Sequence, residues 1–268
     1  MEQKAGIEKQ IAQTKLHLDE LQAQLNAKII SIGNLVHDSV PNSLDEKDNA
    51  LIRTHGGDFI TGKPTAPLTH DVILRRLNAF DMERGSNIAG HRGYFLRDWG
   101  VILNQALINY GLAFLRKRQY SILQTPFMMK REVMAETAQL SEFDEALYKV
   151  SGDAVDMYLI ATSEQPISAF HRGEWLEPKD LPLRYAGYST CFRKEAGAHG
   201  KDVRGIFRVH QFEKVEQFCF AEPEKSWEMF DDMIRYSEEF YQSVSAHFVI
   251  PLCSFLLPIY LLFKLPPL

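Results

Sequence analysis

Between Ser189 and Phe220 the chain reads STCFRKEAGAHGKDVRGIFRVHQFEKVEQFCF, a strand-like stretch whose polar positions are nearly all ionic: Arg193, Glu195, Arg208, Glu213 and Glu216. Side chains two apart on a strand return to one face, so Arg193 and Glu195 are expected side by side. The loop 196–205, AGAHGKDVRG, contains three glycines and is expected to turn the chain into a hairpin. On the return strand Arg208, His210 and Phe212 share a face by the same parity. Glu216 joins them if no bulge intervenes. A long ionic hairpin of this kind demands an antiparallel sheet with one face left open to polar partners.

Two readings of that face stand side by side. A guanidinium beside a glutamate, with an arginine and an aromatic ring opposite, suits a nucleotide. Arginine forks bind phosphate, a ring stacks on a base, and a carboxylate accepts from amines. The same residues also suit a surface ladder of cross-strand ion pairs, each contributing little. The residue pattern alone leaves both open.

The remainder of the chain sets the frame. With 268 residues it can form one large core or two modest domains. A net charge of −5 argues against a surface that coats nucleic acid generally. The three cysteines, Cys191, Cys219 and Cys253, form no C-x-x-C pair, which is the pattern of a reduced cytosolic protein. No apolar h-region follows Met1, so no secretory signal is expected. Residues 248–263, FVIPLCSFLLPIYLLF, run 16 positions without a charge. That is short of the roughly 20 residues a membrane-spanning helix needs, and Pro251 and Pro258 would break it. A membrane span is therefore not expected. A buried strand pair would fit this stretch, as would a tail foreign to the rest of the fold.

Residues 2–36 are helical in pattern. Ile11, Leu18, Leu25 and Ile32 repeat every seven positions, and Ile7, Leu21 and Leu35 form a second seam interrupted by Thr14 and Lys28. This predicts a coiled-coil strand, with a plain amphipathic helix as the alternative. Polar loops at 36–49 and 55–67 suggest a linker. Helices are expected over 68–81, over 96–117 with an apolar face of Trp99, Leu103, Leu107, Leu112 and Leu115, and over 226–244. Strands are expected at 120–129, 157–166 and 184–195. The mixture, without βαβ spacing, predicts an α+β domain on an antiparallel sheet. Neither G-x-x-x-x-G-K-[ST] nor G-x-G-x-x-G occurs, and no Cys/His cluster makes a zinc site. His199 and His210 are lone histidines not expected to carry chemistry.

FRKEAGAHGKDVRGIFRVHQFEKVEQF resembles the second signature motif of class II aminoacyl-tRNA synthetases, in the form found in the seryl-tRNA synthetase family. ATSEQP (161–166) is similar to that family's T-x-E serine-binding turn. GYFLRDWGVILNQALINYGLAFLRKRQYSILQTPFMM resembles its first motif, a long helix and a strand ending at Pro126. GNLVHDSVP (33–41) is similar to the segment following the helical arm of the eukaryotic cytosolic form. The likeness covers roughly residues 1–245.

The resemblance implies serine activation with ATP and transfer to tRNA(Ser) in the cytoplasm. Arg193 would clamp the α-phosphate and act catalytically, Glu195 would face the adenine end, and Arg208 would contact phosphate. Val209 would line the nucleotide and Phe212 would stack on adenine. Thr162, Glu164, Arg193 and Glu216 would hold the serine. Magnesium would accompany ATP, without protein ligands in this stretch. Residues 94–129 would form a homodimer interface. The domains implied are 1–36 as a remnant of a coiled-coil tRNA-binding arm, 37–67 as linker, 68–245 as a catalytic core with motifs one and two, and 246–268 as an apolar tail foreign to the family. The family's third motif, G-x-G-x-x-R, is not found. The core is therefore expected to be an incomplete class II sheet flanked by helices, truncated at both ends, with weak or no activity. A non-catalytic dimerising or ATP-binding module is the alternative expectation.

Overall fold

The computed structural model describes residues 2–30, 32, 37–38, 40–41, 43, 45–55, 68–137, 143–152, 155–195, 204–244 and 248–252. In chain order the helices and strands are α1 (Glu2–Ile30), β1 (Ala50–His55), α2 (His70–Arg76), β2 (Phe80–Asp81), α3 (Met82–Ala89), β3 (Phe95–Leu96), α4 (Trp99–Arg116), β4 (Ser121–Gln124) and β5 (Met128–Lys130). They continue with α5 (Arg131–Met134), α6 (Phe143–Ala146), β6 (Lys149–Val150), β7 (Met157–Leu159), α7 (Glu164–Ser168), β8 (Leu183–Phe192), β9 (Gln211–Phe220), α8 (Ser226–Ser243) and β10 (Phe248–Leu252).

Two compact units result. The smaller contains α1 and an antiparallel pair of β1 with β10. Along α1 the heptad side chains Ile11, Leu18 and Leu25 are all exposed, and a helix of this kind is completed by a partner. β1 falls inside the span expected to be linker. The first five residues of the apolar tail form β10, whereas 253–268, like 56–67 and the glycine loop over 196–203, lie outside the described residues.

The larger unit holds two three-stranded sheets, ordered β4-β8-β9 and β5-β7-β6. The expected antiparallel pairing holds for all strands but one pair among the described residues: β4 runs parallel to β8. The sequence cannot announce this, because the parallel partner arrives only after a long excursion. One side of the first sheet carries a core of Phe114, Leu115, Tyr120 and Ala186, with Val215, Cys219, Tyr236 and Phe240 packed against it. That side is covered by α4 and α8. Met129, Met134, Leu147, Tyr158 and Ile160 form the core of the second sheet.

Several expected boundaries shift for local reasons. The helix expected over 68–81 stops at Arg76, where Asn78 turns left-handed (φ 50°). Asp81 then caps α3, its Oδ1 accepting from the Arg84 N–H at 2.9 Å. The strand expected over 120–129 is two strands in different sheets, parted by Pro126, which lacks a donor for the ladder. The strand expected over 157–166 ends at Leu159, and α7 begins at Glu164, with Pro166 tolerated in its first turn. The apolar face expected of α4 divides: Leu115 is buried with Ile108 and Phe114, whereas Trp99, Leu103 and Leu107 are exposed. The helix is apolar on two sides.

Candidate active site

β8 and β9 pair in one unbroken register, from Leu183↔Phe220 to Phe192↔Gln211. Parity then divides the sheet. Val215 and Cys219 point into the core beneath α4 and α8. Phe212, Lys214 and Glu216 face the other way, opposite Cys191, Ser189 and Gly187. With no bulge present, Glu216 shares the face of Phe212 as expected.

Strand parity does not reach Arg193, Glu195, Arg208 or His210, contrary to expectation. β8 ends at Phe192 and β9 begins at Gln211, and Glu195 is left-handed (φ 50°). Other contacts gather these residues. The Arg193 N–H donates to the His210 carbonyl at 3.0 Å, and His210 Nδ1 donates to the Arg193 carbonyl at 3.0 Å. His210 is thus engaged with backbone. The Arg193 guanidinium lies 5.4 Å from the centre of the Phe212 ring, and Arg208 donates to Glu195 Oε2 at 2.9 Å. Val209 is buried. The predicted groups therefore meet as two pairs, Arg193 with Phe212 and Arg208 with Glu195, through loop conformation.

The second cluster sits further along the same face. The Phe192 N–H donates to the Ile160 carbonyl at 3.0 Å, tying the end of β8 to the sheet containing β7. This places the turn 161–163 and α7 against β8. Gly187 makes the approach possible: a Cβ there would lie 2.5 Å from both Ser163 Oγ and Ile167 Cδ1. Thr162 is buried, and its hydroxyl accepts from the Glu164 N–H at 3.2 Å. Glu164 is exposed at the start of α7. Ser163 precedes α7 yet makes no side-chain cap to it; its hydroxyl instead donates to Glu216. Lys214 holds the other oxygen of Glu216 at 2.6 Å.

Burial pushes the Tyr148 and Tyr94 phenols above their ordinary range, and Tyr94 donates to the Gln211 carbonyl at 3.3 Å. The Tyr148 ring meets the His210 ring edge-on, with centroids 6.1 Å apart, so both tyrosines stand near the beginning of β9. A cavity of about 300 Å³ between Leu181, Pro182 and α8 includes none of the residues named above. Among the described residues no three His, Cys, Asp or Glu side chains are placed to hold a metal ion, and no helix is long and apolar enough to cross a membrane.

Sequence reasoning missed Ser163, Lys214 and Gly187. Lys214 was recoverable, since it shares the parity of Phe212 and Glu216. The others carry no periodic signal.

A charged β-hairpin on a sheet backed by two long helices, with a buried Thr turn beside it, defines the core of a class II aminoacyl-tRNA synthetase. The family model described as "tRNA synthetase class II core domain (G, H, P, S and T)" matches residues 148–257. Within that class the chain belongs to the seryl-tRNA synthetase family. It is 59% identical over 236 residues to the cytoplasmic serine-tRNA ligase of Candida albicans, covering 84% of this chain and 51% of that protein. A cytoplasmic serine-tRNA ligase from Naegleria fowleri, solved in complex with AMP, superposes with a TM-score of 0.84 at 44% identity, over 93% of this chain and 59% of the other. The seryl-tRNA synthetase of Pyrococcus horikoshii, complexed with ATP, gives a TM-score of 0.84 at 35% identity, covering 92% and 59%. The chain spans about half the length of the curated relatives it matches.

Proposed function

We propose that the open face of β8 and β9 binds ATP and serine, and that the chain belongs to the activity its cytoplasmic relatives are named for: joining serine to tRNA(Ser) through a seryl-adenylate. The observation that carries this is the pairing of Arg193 with Phe212 at the hairpin end, with Thr162, Ser163 and Glu216 clustered further along the same face. An arginine over a ring is the arrangement that holds a phosphate next to a stacked base.

In this reading an oxygen of the serine carboxylate attacks the α-phosphorus, and the bond to the departing pyrophosphate breaks. No protein nucleophile is needed; the site supplies position and charge. Arg193 stabilises charge developing on the α-phosphate. Arg208 contacts phosphate, Glu195 stands at the adenine end, Val209 lines the nucleotide and Phe212 stacks on the base. Thr162 and Glu164 receive the serine, Glu164 pairing with its ammonium. Glu216, fixed by Lys214, reads the hydroxyl by a polar contact, which a substrate this small requires. The magnesium ion expected with ATP finds no three-residue ligand set among the described residues, and the steps above use none.

Residues 68–245 are the catalytic core in this division, 1–36 the tRNA arm, 37–67 the linker and 246–268 an apolar tail. The exposed stripe of Trp99, Leu103 and Leu107 supports a homodimer through about residues 94–129. The test is calorimetric titration of ATP and of serine into the chain. Arg193→Ala should weaken ATP binding at least tenfold, the loss of one charge-assisted contact. Glu216→Ala should abolish serine binding and leave ATP binding in place. Equal ATP affinity of the chain and Arg193→Ala would overturn the proposal. Serine-dependent exchange of labelled pyrophosphate into ATP then measures how much of the chemistry these residues carry.

A further inference from the structure

Arg92 lies in the turn between α3 and β3, where it adopts a left-handed backbone (φ 69°) and is nevertheless buried, with 7% exposed. Turns in this conformation favour glycine, and arginine is among the residues least often buried. Both departures have the same result. Arg92 Nη1 reaches within 3.9 Å of Glu195 Oε2, and the two side chains are 6% and 9% exposed. Glu195 is itself left-handed, so two loops distant in sequence both bend against preference to bring these groups together. The same oxygen accepts from Arg208 at 2.9 Å, whose side chain is 42% exposed. Tyr148 lies close enough to feel both buried charges, with Arg92 and Glu195 acting on its phenol in opposite directions.

The arrangement has an electrostatic consequence. A single arginine would only neutralise Glu195. With a buried second arginine behind it, the trio keeps one positive charge, and its outer member is Arg208. We infer that Arg92 is a positioning residue of the nucleotide site: it holds Glu195 as a fixed anchor for Arg208 and leaves that corner cationic toward the phosphates of a nucleoside triphosphate. This rests on the nucleotide reading above. It assigns Arg92 no contact with the ligand; it acts through Glu195 and Arg208.

The experiment titrates ATP, adenosine and serine into the chain and into Arg92→Gln, Arg92→Met and Arg92→Lys. Arg92→Gln should weaken ATP about tenfold or more, the scale of a contact to a charged group, with adenosine and serine affinities unchanged. Arg92→Met, which also removes the charge but keeps an apolar stem in the buried position, should show the same selective loss. Arg92→Lys should restore ATP affinity to within a few-fold. ATP affinity unchanged in Arg92→Gln would overturn the inference. So would equal losses for ATP, adenosine and serine, or an Arg92→Lys variant that binds ATP no better than Arg92→Gln. Where Arg92→Gln does not fold, Arg92→Met takes its place, and a folded Arg92→Met that binds ATP as tightly as the wild type overturns the inference. Arg193→Ala separates the two levels: if it leaves ATP binding intact the nucleotide reading itself fails. If it weakens ATP binding while Arg92→Gln leaves it unchanged, only the role of Arg92 fails.

Discussion

Replacing Gly187 by alanine should destabilise the fold and damage the amino-acid end of the site together. The new methyl group would meet Ser163 Oγ and Ile167 Cδ1 at 2.5 Å and Ser163 Cβ at 3.2 Å. Those atoms belong to side chains, but neither chain has space to yield: Ser163 is fully buried and Ile167 is 1% exposed. α7 must therefore move off the sheet. Overpacking of this kind costs about 1–3 kcal/mol, and losing the hydroxyl bond to the Glu216 carboxylate adds about 1.5 kcal/mol. The expected total is about 2.5–4.5 kcal/mol from these sources. Urea unfolding followed by far-UV circular dichroism measures it, and calorimetry reads serine and ATP affinities on the folded variant. Serine binding should weaken while ATP binding holds. Gly111→Ala is the internal comparison. Its Cβ would sit 3.6 Å from Val215, an ordinary contact, so the helix should gain about 0.5–1 kcal/mol from the substitution. An unchanged unfolding midpoint and serine affinity in Gly187→Ala would refute the view that this glycine exists to seat α7.

Met134→Ala should cost about 2–5 kcal/mol in the same unfolding assay, because Met134 is wholly buried in the core of the second sheet and leaves a cavity there. The Glu239 carboxyl is held below its ordinary range chiefly by the hydrogen bonds from Arg118, one of them from Nε at 3.1 Å. A carboxylate depressed in the folded state stabilises the fold above its unfolded pKa, about 4.3. That contribution is lost as pH falls through the folded value, so below about pH 4 the unfolding midpoint of the wild type should fall more steeply than that of Glu239→Gln. Leu103→Glu/Leu107→Glu places charges on the exposed stripe of α4, and light scattering should show a self-associating chain become monomeric with its circular dichroism unchanged. A mass unaffected by the pair would refute self-association through that face.

The hairpin was legible because alternation over FEKVEQF is a strand signal that survives without its neighbours, and the β8–β9 register follows that parity. The same logic failed beyond Phe192 and before Gln211, where backbone angles rather than alternation place the side chains. Glu195 faces Arg208 through a left-handed turn that a count of positions cannot supply. In ATSEQP the apolar run promised a longer strand, but Ser163 turns its hydroxyl to Glu216 and the chain starts a helix around Pro166. For α4 the sequence showed that the helix is apolar without showing that two faces share the load. Arg92 was invisible for a further reason: its partner lies about a hundred positions away, and a lone arginine between His91 and Gly93 looks like any surface turn.

The two described cysteines provide the molecule with a built-in clock. Cys191 is fully buried and stands opposite Phe212 in the β8–β9 register, while Cys219 is partly buried on the helix-covered side. Burial raises both thiols above their ordinary range, so little reactive thiolate exists while the sheet is closed. Alkylation of Cys191 therefore has to wait for β8 to part from β9, the strand that bears Phe212 and Glu216. Its labelling rate counts how often the site opens, and a ligand spanning that hairpin slows the count in proportion to its grip.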